Sequence, residues 1–285
     1  MRLIDCHTHT QYSMDSEADI VGMIEKAKNL GLAAYAVTDH CECSGWFDKE
    51  YYAEKGGDVE LFDYFGYSRD FEASLSAVTA LKEKYDGFNL LCGTELGQPL
   101  ADIEIAEKAV SDPRLDFVIG SLHQLPGEKD FYYINYYNMT PDEIDDLLRR
   151  YFTGIYDMCR WGKFDVLGHL TYCLRYMKIR NGIDPDLKPV EEIIAESLRT
   201  LAEKGKGIEI NTSGLRQGFG NCFPALKYVK LFKELGGEII SIGSDAHKIK
   251  DLGSNISDGM AIAQAAGFDV VCYFKERKPN FIKIK

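Results

Sequence analysis

The chain has 285 residues, 45% of them hydrophobic and 27% charged, with a formal net charge of −12. This supplies ample apolar material for a core and argues against a surface built for nucleic-acid backbones, although bound metal ions can reverse the sign inside a pocket. The opening MRLIDCHTHT is too polar for a signal peptide, no long apolar run offers a membrane helix, and the eight cysteines form no CxxC pair, so a reduced, cytoplasmic protein is expected.

Taken in chain order, short apolar runs alternate with longer stretches of helical period. The strand-like runs are 3–6, 33–37, 89–94, 116–120, 165–168, 207–210 and 238–241. The helical stretches are 17–30, 71–85, 102–111, 141–161, 189–204, 224–235 and 257–266. The string Thr140-Pro141-Asp142-Glu143 combines an N-cap, a proline in the first turn and acids at the positive helix end. Seven strand–helix repeats with nearly continuous apolar strands predict a parallel sheet covered by crossover helices. Two stretches interrupt the repeat: 41–70, an acidic and aromatic insertion after the second strand, and the Tyr-rich 125–139 after the fourth. Both leave C-terminal strand ends, where barrel enzymes build their sites. The segment 270–285 reads as a last strand or a hairpin. No linker or low-complexity stretch divides the chain, so a single domain over 1–285 is expected.

The six histidines, His7, His9, His40, His123, His169 and His247, each lie at or just past the end of a predicted strand. Glu95 and Asp245 occupy equivalent positions, and Asp15 follows the first strand closely. One strand-end histidine is usually an ordinary residue. Six that converge on one barrel mouth, with none left over, point to a metal cluster. Residues two apart in a strand face the same side, so His7 and His9 can hold one ion together. Glu95, His123, His169 and the Asp245–His247 pair strengthen that signal.

These motifs resemble those of the polymerase-and-histidinol-phosphatase (PHP) superfamily, in its stand-alone histidinol-phosphatase branch. The resemblance rests on D-C-H-T-H at 5–9, T-D-H at 38–40, G-T-E at 93–95, G-S-L-H at 120–123, G-H at 168–169, E-I-N-T-S-G-L-R at 209–216 and G-S-D-A-H at 243–247. It implies an α/β fold, a distorted (β/α)7 TIM-like barrel with two to three divalent ions (Zn, Mn or Fe) at the C-terminal strand ends. By position, the first ion falls to His7, His9, Glu95 and Asp245. The second shares Glu95 and adds His123 and His169. The third takes Asp15, His40 and His247. Some members of the family have His where this chain has Asp15, a departure that bears on metal preference. Asp39 is expected to orient ligand histidines.

Ions sharing a carboxylate lower the pKa of bound water to about 7 and neutralise phosphoryl charge. Arginine pairs with phosphate in bidentate fashion, and Arg175 and Arg216, which follow strand ends, are the candidates, with Tyr176 as a neighbour. Glu95, Asp245, Arg175 and Arg216 are thus the expected catalytic set. The substrate is expected to be a small phosphate ester, and the resemblance specifies L-histidinol phosphate in histidine biosynthesis. Its leaving group carries an ammonium and an imidazole, for which the insertion offers Glu42, Asp48, Glu50, Glu54, Asp58, Glu60, Asp63 and several rings. Metal-dependent amidohydrolases share the HxH start, but the extra set of Asp15, His40 and His247 calls for a third ion. A phosphodiesterase, as in the polymerase branch, fits poorly with the net charge, and a non-catalytic module fits poorly with a complete ligand set.

Overall fold

The computed structural model describes residues 2–43, 70–126 and 128–284. Most of the expected 41–70 insertion, with the acids Asp48 to Asp63, lies outside the described residues.

Eight strands form one parallel sheet among the described residues: β1 (Ile4–Asp5), β2 (Ala34–Val37), β3 (His40–Glu42), β4 (Leu90–Gly97), β5 (Phe117–Ser121), β6 (Val166–Leu167), β7 (Gly207–Asn211) and β8 (Ile240–Gly243). The order is β1-β2-β4-β5-β6-β7-β8, and β3 pairs with the distal half of β4. The first and last strands then meet. Cys6 N–H donates to Ile242 O at 2.9 Å, Asp245 N–H to His7 O at 2.8 Å and His9 N–H to Ala246 O at 2.9 Å. The sheet therefore curls into a nearly closed barrel, and the closing bonds run through the segments that carry His7, His9 and Asp245.

Helices clothe the outside: α1 (Ile20–Asn29), α2 (Asp70–Lys84), α3 (Ile103–Val110), α4 (Pro141–Trp161), α5 (Leu174–Asn181), α6 (Glu191–Glu203), α7 (Ser213–Arg216), α8 (Leu226–Glu234) and α9 (Ile256–Ala265). The longest, α4, begins where expected. Thr140 and Glu143 complete a capping box behind Pro141, and Gly162 ends the helix in the left-handed region with φ 63. It buries Ile144, Leu147, Leu148, Tyr151, Phe152, Ile155, Met158 and Cys159, an apolar stripe of helical period. Helix α1 starts at Ile20 and not 17, because the Asp19 carboxylate caps Gly22 N–H at 2.7 Å. The first turn of the expected 189–204 helix is a 3-10 turn, Lys188–Val190. Helices α5 and α7 were not expected from the apolar pattern.

The C-terminal segment is a hairpin of β9 (Val270–Lys275) and β10 (Lys278–Lys283), paired antiparallel. Its two-residue turn, Glu276 and Arg277, has both φ angles positive, a conformation that usually calls for Asn-Gly. Contacts at the N-terminal strand ends hold it: Glu276 N–H on Asp116 Oδ1 at 3.0 Å, and Arg277 Nε on Asp165 Oδ2 at 2.6 Å. The hairpin thus packs at the end of the barrel opposite the histidines. All eight cysteines are unpaired and buried. Among the described residues, no helix is long and apolar enough to cross a membrane.

Candidate metal centre

Strand alternation sorts the interior. In β7 the string GIEIN sends Glu209 and Asn211 inward, while Ile208 and Ile210 pack outside. Space there is tight. A Cβ on Gly243 would lie 2.2 Å from His7 Cβ and 2.6 Å from Glu209 Oε1, so only glycine lets the His7 segment close against β8.

Glu95, buried in the middle of β4, divides the histidines into two groups. Its Oε1 lies 3.1 Å from His123 Nε2, 2.7 Å from His169 Nε2 and 2.7 Å from Ser121 Oγ. Its Oε2 lies 3.2 Å from His7 Nε2, 3.5 Å from His9 Nε2 and 3.1 Å from His40 Nδ1. Asp245 Oδ1 stands 3.5 Å from His9 Nε2 and 4.0 Å from His7 Nε2. Asp15, on the rim, contacts His247 Nε2 at 3.0 Å and His40 Nε2 at 3.6 Å. The His9 ring is stacked between those of His40 and His247, at 4.3 and 4.1 Å between centroids. All nine ligand candidates named from the sequence are therefore brought to one mouth.

The donors fit cations. His7 Nε2 and His9 Nε2 face each other at 3.1 Å, as do His123 Nε2 and His169 Nε2 at 3.3 Å. On four rings the other nitrogen is already engaged. His7 Nδ1 is 2.6 Å from Glu209 Oε1, His9 Nδ1 is 3.1 Å from Ser13 Oγ, His123 Nδ1 is 3.0 Å from Glu42 Oε1 and His247 Nδ1 is 3.1 Å from Asp245 O. With the proton held at Nδ1, the Nε2 lone pairs converge on shared points, an arrangement that a cation satisfies and a hydrogen bond does not. Four groups among the described residues, His7–His9–Glu95, Glu95–His123–His169, His9–His40–His247 and His40–Glu42–His123, each have ligand atoms within 4.8 Å of one another. Without an ion the carboxylates favour charged rings: against burial, Glu209 and Glu95 hold His7 well above its usual range, Asp15 and Glu95 do the same for His40, and Glu42 and Glu95 lift His123 to about 10, so a bound cation would displace protons there. Burial, helped by His247 and His40, pushes His9 down to about 3. Burial opposes ionisation of Glu95, but His7, His123 and His40 outweigh it and hold the carboxyl well below its usual range. In the same way His123 and His40 overcome burial to hold Glu42 at about 2.

The remaining expected residues line the rim or back the ligands. Arg175, on α5 and only 4% exposed, donates through Nη2 to Asp245 Oδ2 at 3.1 Å and to Ser213 Oγ at 2.9 Å. Its guanidinium packs over Tyr172 at 5.0 Å and Phe223 at 4.8 Å, with Tyr176 at 5.9 Å. Arg216, at the end of α7, donates to Ser244 O at 2.9 Å and Asp245 O at 3.1 Å. Asn211 Nδ2 lies 3.3 Å from both Glu209 Oε2 and Asp245 Oδ2. Asp39 touches no histidine. It accepts from Thr10 N–H, Thr10 Oγ1, Ser13 Oγ and Ser74 Oγ, and reaches His9 through Ser13. Glu42 sits among the histidines and not in an open leaving-group pocket.

Three residues had no role assigned from the sequence, although Asp5 and Glu209 stand in the motifs quoted above. Glu209 fixes His7 and also accepts from His169 N–H at 2.9 Å. Its signal was an acid between two isoleucines in a buried strand. Asp5, fully buried, accepts from Ser244 N–H at 2.9 Å, Ser244 Oγ at 2.6 Å and Gly253 N–H at 2.9 Å, anchoring the loop of Asp245 and His247. Ser13 links His9 to Asp39, and nothing in its sequence setting marks it.

A parallel barrel with histidines and carboxylates at its C-terminal mouth is here the architecture of a PHP domain. A family model for that domain matches residues 5–213, and the chain belongs to the family. The chain is similar to the probable histidinol-phosphatase of Thermotoga maritima, 28% identical over 267 residues that cover 94% of each protein. It is also similar to the histidinol-phosphatase of Lactococcus lactis subsp. lactis, 26% identical over 281 residues, covering 98% of this chain and 96% of the relative. The solved structure of histidinol phosphate phosphatase from that organism, complexed with zinc, L-histidinol and phosphate, matches with a TM-score of 0.78 and 25% identity over 98% of this chain and 99% of that one.

Proposed function

We propose that this chain is a metal-dependent phosphomonoesterase that hydrolyses L-histidinol phosphate to L-histidinol and phosphate, a step of histidine biosynthesis. The observation that carries the reading is the buried Glu95 carboxylate, with one oxygen toward His123 and His169 and the other toward His7, His9 and His40. His7, His9, His40, His123, His169, Glu95, Asp245, Asp15 and His247 would hold two to three divalent ions, zinc foremost and manganese or iron as alternatives, which when bound would supply an activated water and neutralise phosphoryl charge. The curated relatives' names and the zinc, L-histidinol and phosphate of the matching structure support the choice of metal and substrate.

The chain's own work is positioning. Glu95 sets the spacing of the two histidine groups. Glu209 and Ser13 hold the His7 and His9 rings with Nε2 inward. Arg175 and Arg216 flank Asp245, one at its carboxylate and one at its carbonyl, and so bring two guanidinium groups to the rim where a phosphate would arrive. Tyr176 and the Tyr172 ring, 5.1 Å from that of His123, form an apolar wall for the departing alcohol. The whole chain, 1–285, acts as one barrel unit on a small molecule, in the cytoplasm, without nucleic acid as a partner.

The test is metal dependence of phosphate release. The purified protein is expected to carry two to three transition-metal ions per chain, to lose activity on chelation and to regain it on reloading with zinc. Phosphate release that survives complete removal of metal would end the proposal.

A further inference from the structure

Strand β3 is three residues long, and its register sets His40 against Glu95 and Glu42 against Gly97. Alternation puts His40 and Glu42 on one face and Cys41 on the other. Across the pair, Gly97 leaves a gap that the Glu42 carboxylate fills. A Cβ at position 97 would lie 2.0 Å from Glu42 Oε2 and 2.6 Å from Oε1. Seated there, Glu42 is 8% exposed, and its Oε1 lies 3.0 Å from His123 Nδ1 and 3.1 Å from His40 Nδ1.

His123 is therefore bracketed by two carboxylates, with Glu95 at Nε2 and Glu42 at Nδ1. We propose that Glu42 is a positioning residue of the metal centre, which holds His123 in the tautomer protonated at Nδ1 and sets a negative charge, with no hydrogen bond, beside His40, with Gly97 as the space that admits its carboxylate. The inference rests on the metal-centre reading given above. It replaces the expectation that Glu42 meets the substrate's ammonium. Its Oε1 is spent on a ligand histidine, and its Oε2, without a hydrogen-bond partner, is buried against Gly97, so the carboxylate is poorly placed to greet a charge arriving from solvent. Because His123 and His40 belong to different ligand sets, one side chain ties two parts of the centre together.

The experiment compares wild type, Glu42→Gln, Glu42→Ala, Gly97→Ala and the double variant Glu42→Ala/Gly97→Ala. Each is loaded with zinc, dialysed against graded chelator and assayed for zinc per chain, then for kcat and KM on L-histidinol phosphate. Loss of an orienting carboxylate typically weakens metal retention or activity by about ten- to a hundred-fold. Glu42→Gln and Gly97→Ala are expected to release zinc at correspondingly lower chelator, with kcat reduced and KM within about two-fold of wild type. The double variant is expected to be no worse than Glu42→Ala, because the added methyl then enters vacated space. Wild-type zinc retention in Glu42→Gln, with only KM raised, would overturn the proposal in favour of a substrate contact. Additive losses in the double variant would overturn the role of Gly97. A wild-type protein that binds no zinc, manganese or iron would sink the metal-centre reading and this one with it. Should Gly97→Ala fail to fold, Glu42→Gln alone decides.

Discussion

Arg216→Ala separates two kinds of work that one guanidinium can do. From the sequence, Arg216 is a phosphate contact, and its loss leaves the metals bound. In the structure, its Nη1 and Nη2 already donate to Ser244 O at 2.9 Å and Asp245 O at 3.1 Å. Those carbonyls belong to the turn in which Asp245 takes φ 53, a left-handed conformation that costs a non-glycine residue about 1 kcal/mol or more. A hydrogen bond from a charged donor contributes about 1.5–3 kcal/mol, and the side chain is 19% exposed, so water replaces part of the loss. A net loss of about 2 kcal/mol corresponds to roughly thirty-fold. Arg216→Ala is therefore expected to lower kcat about thirty-fold and to release zinc more readily, on top of a rise in KM from the lost phosphate contact. Arg216→Lys keeps the charge without the fork and is expected to recover only part of this. Steady-state kinetics at saturating zinc, together with zinc per chain, make the measurement. Full zinc retention and unchanged kcat, with KM alone increased, would refute the anchoring argument and leave Arg216 as a phosphate contact only.

Glu95→Gln is expected to disturb two ions at once, read as loss of more than one zinc per chain, because each carboxylate oxygen serves a different histidine group. Asp15→Asn is expected to weaken mainly one ion, that of His40 and His247, leaving most of the bound zinc in place. Arg277→Ala is expected to destabilise the fold without touching catalysis, since Arg277 meets Asp165 at 2.6 Å at the opposite end of the barrel. With Arg277 26% exposed, a loss of about 2–3 kcal/mol is expected, seen as a drop in Tm of several degrees with unchanged kcat. Burial raises the Asp165 pKa and Arg277 opposes that rise, so removing Arg277 raises it further. A raised carboxyl pKa destabilises only the ionised form, so the Arg277→Ala defect should be largest near neutral pH and shrink as pH falls through the folded-state pKa.

The histidines were legible because each ends an apolar strand, and strand ends in a parallel barrel share one mouth. The layer behind them was harder to read. Glu209 looks like any acid in a strand until closure against β8 sets its carboxylate on His7. Asp5 acquires a role only when Ser244 and Gly253 come beside it, contacts of long sequence separation that no local pattern encodes. Helix α5 escaped because Leu174–Asn181 carries a weak apolar stripe and three basic residues, and tertiary contacts, not amphipathicity, hold it. The turn at Glu276 and Arg277 lacks the usual Asn-Gly signature, since bonds to Asp116 and Asp165 stabilise what local propensity disfavours. Glu42 was noticed for its charge, but its neighbours depend on the pairing of β3 with β4.

The most direct test of the account is kcat/KM of the zinc-loaded protein for L-histidinol phosphate beside serine phosphate, glycerol phosphate and a nitrophenyl phosphate. Recognition of the leaving group through one charge-assisted contact amounts to about ten-fold or more. At least that preference for L-histidinol phosphate is expected, with inorganic phosphate and L-histidinol as products. Equal rates on all four esters would contradict the specific assignment and leave a general PHP phosphoesterase, and no phosphate release from any of them would contradict the phosphatase reading itself.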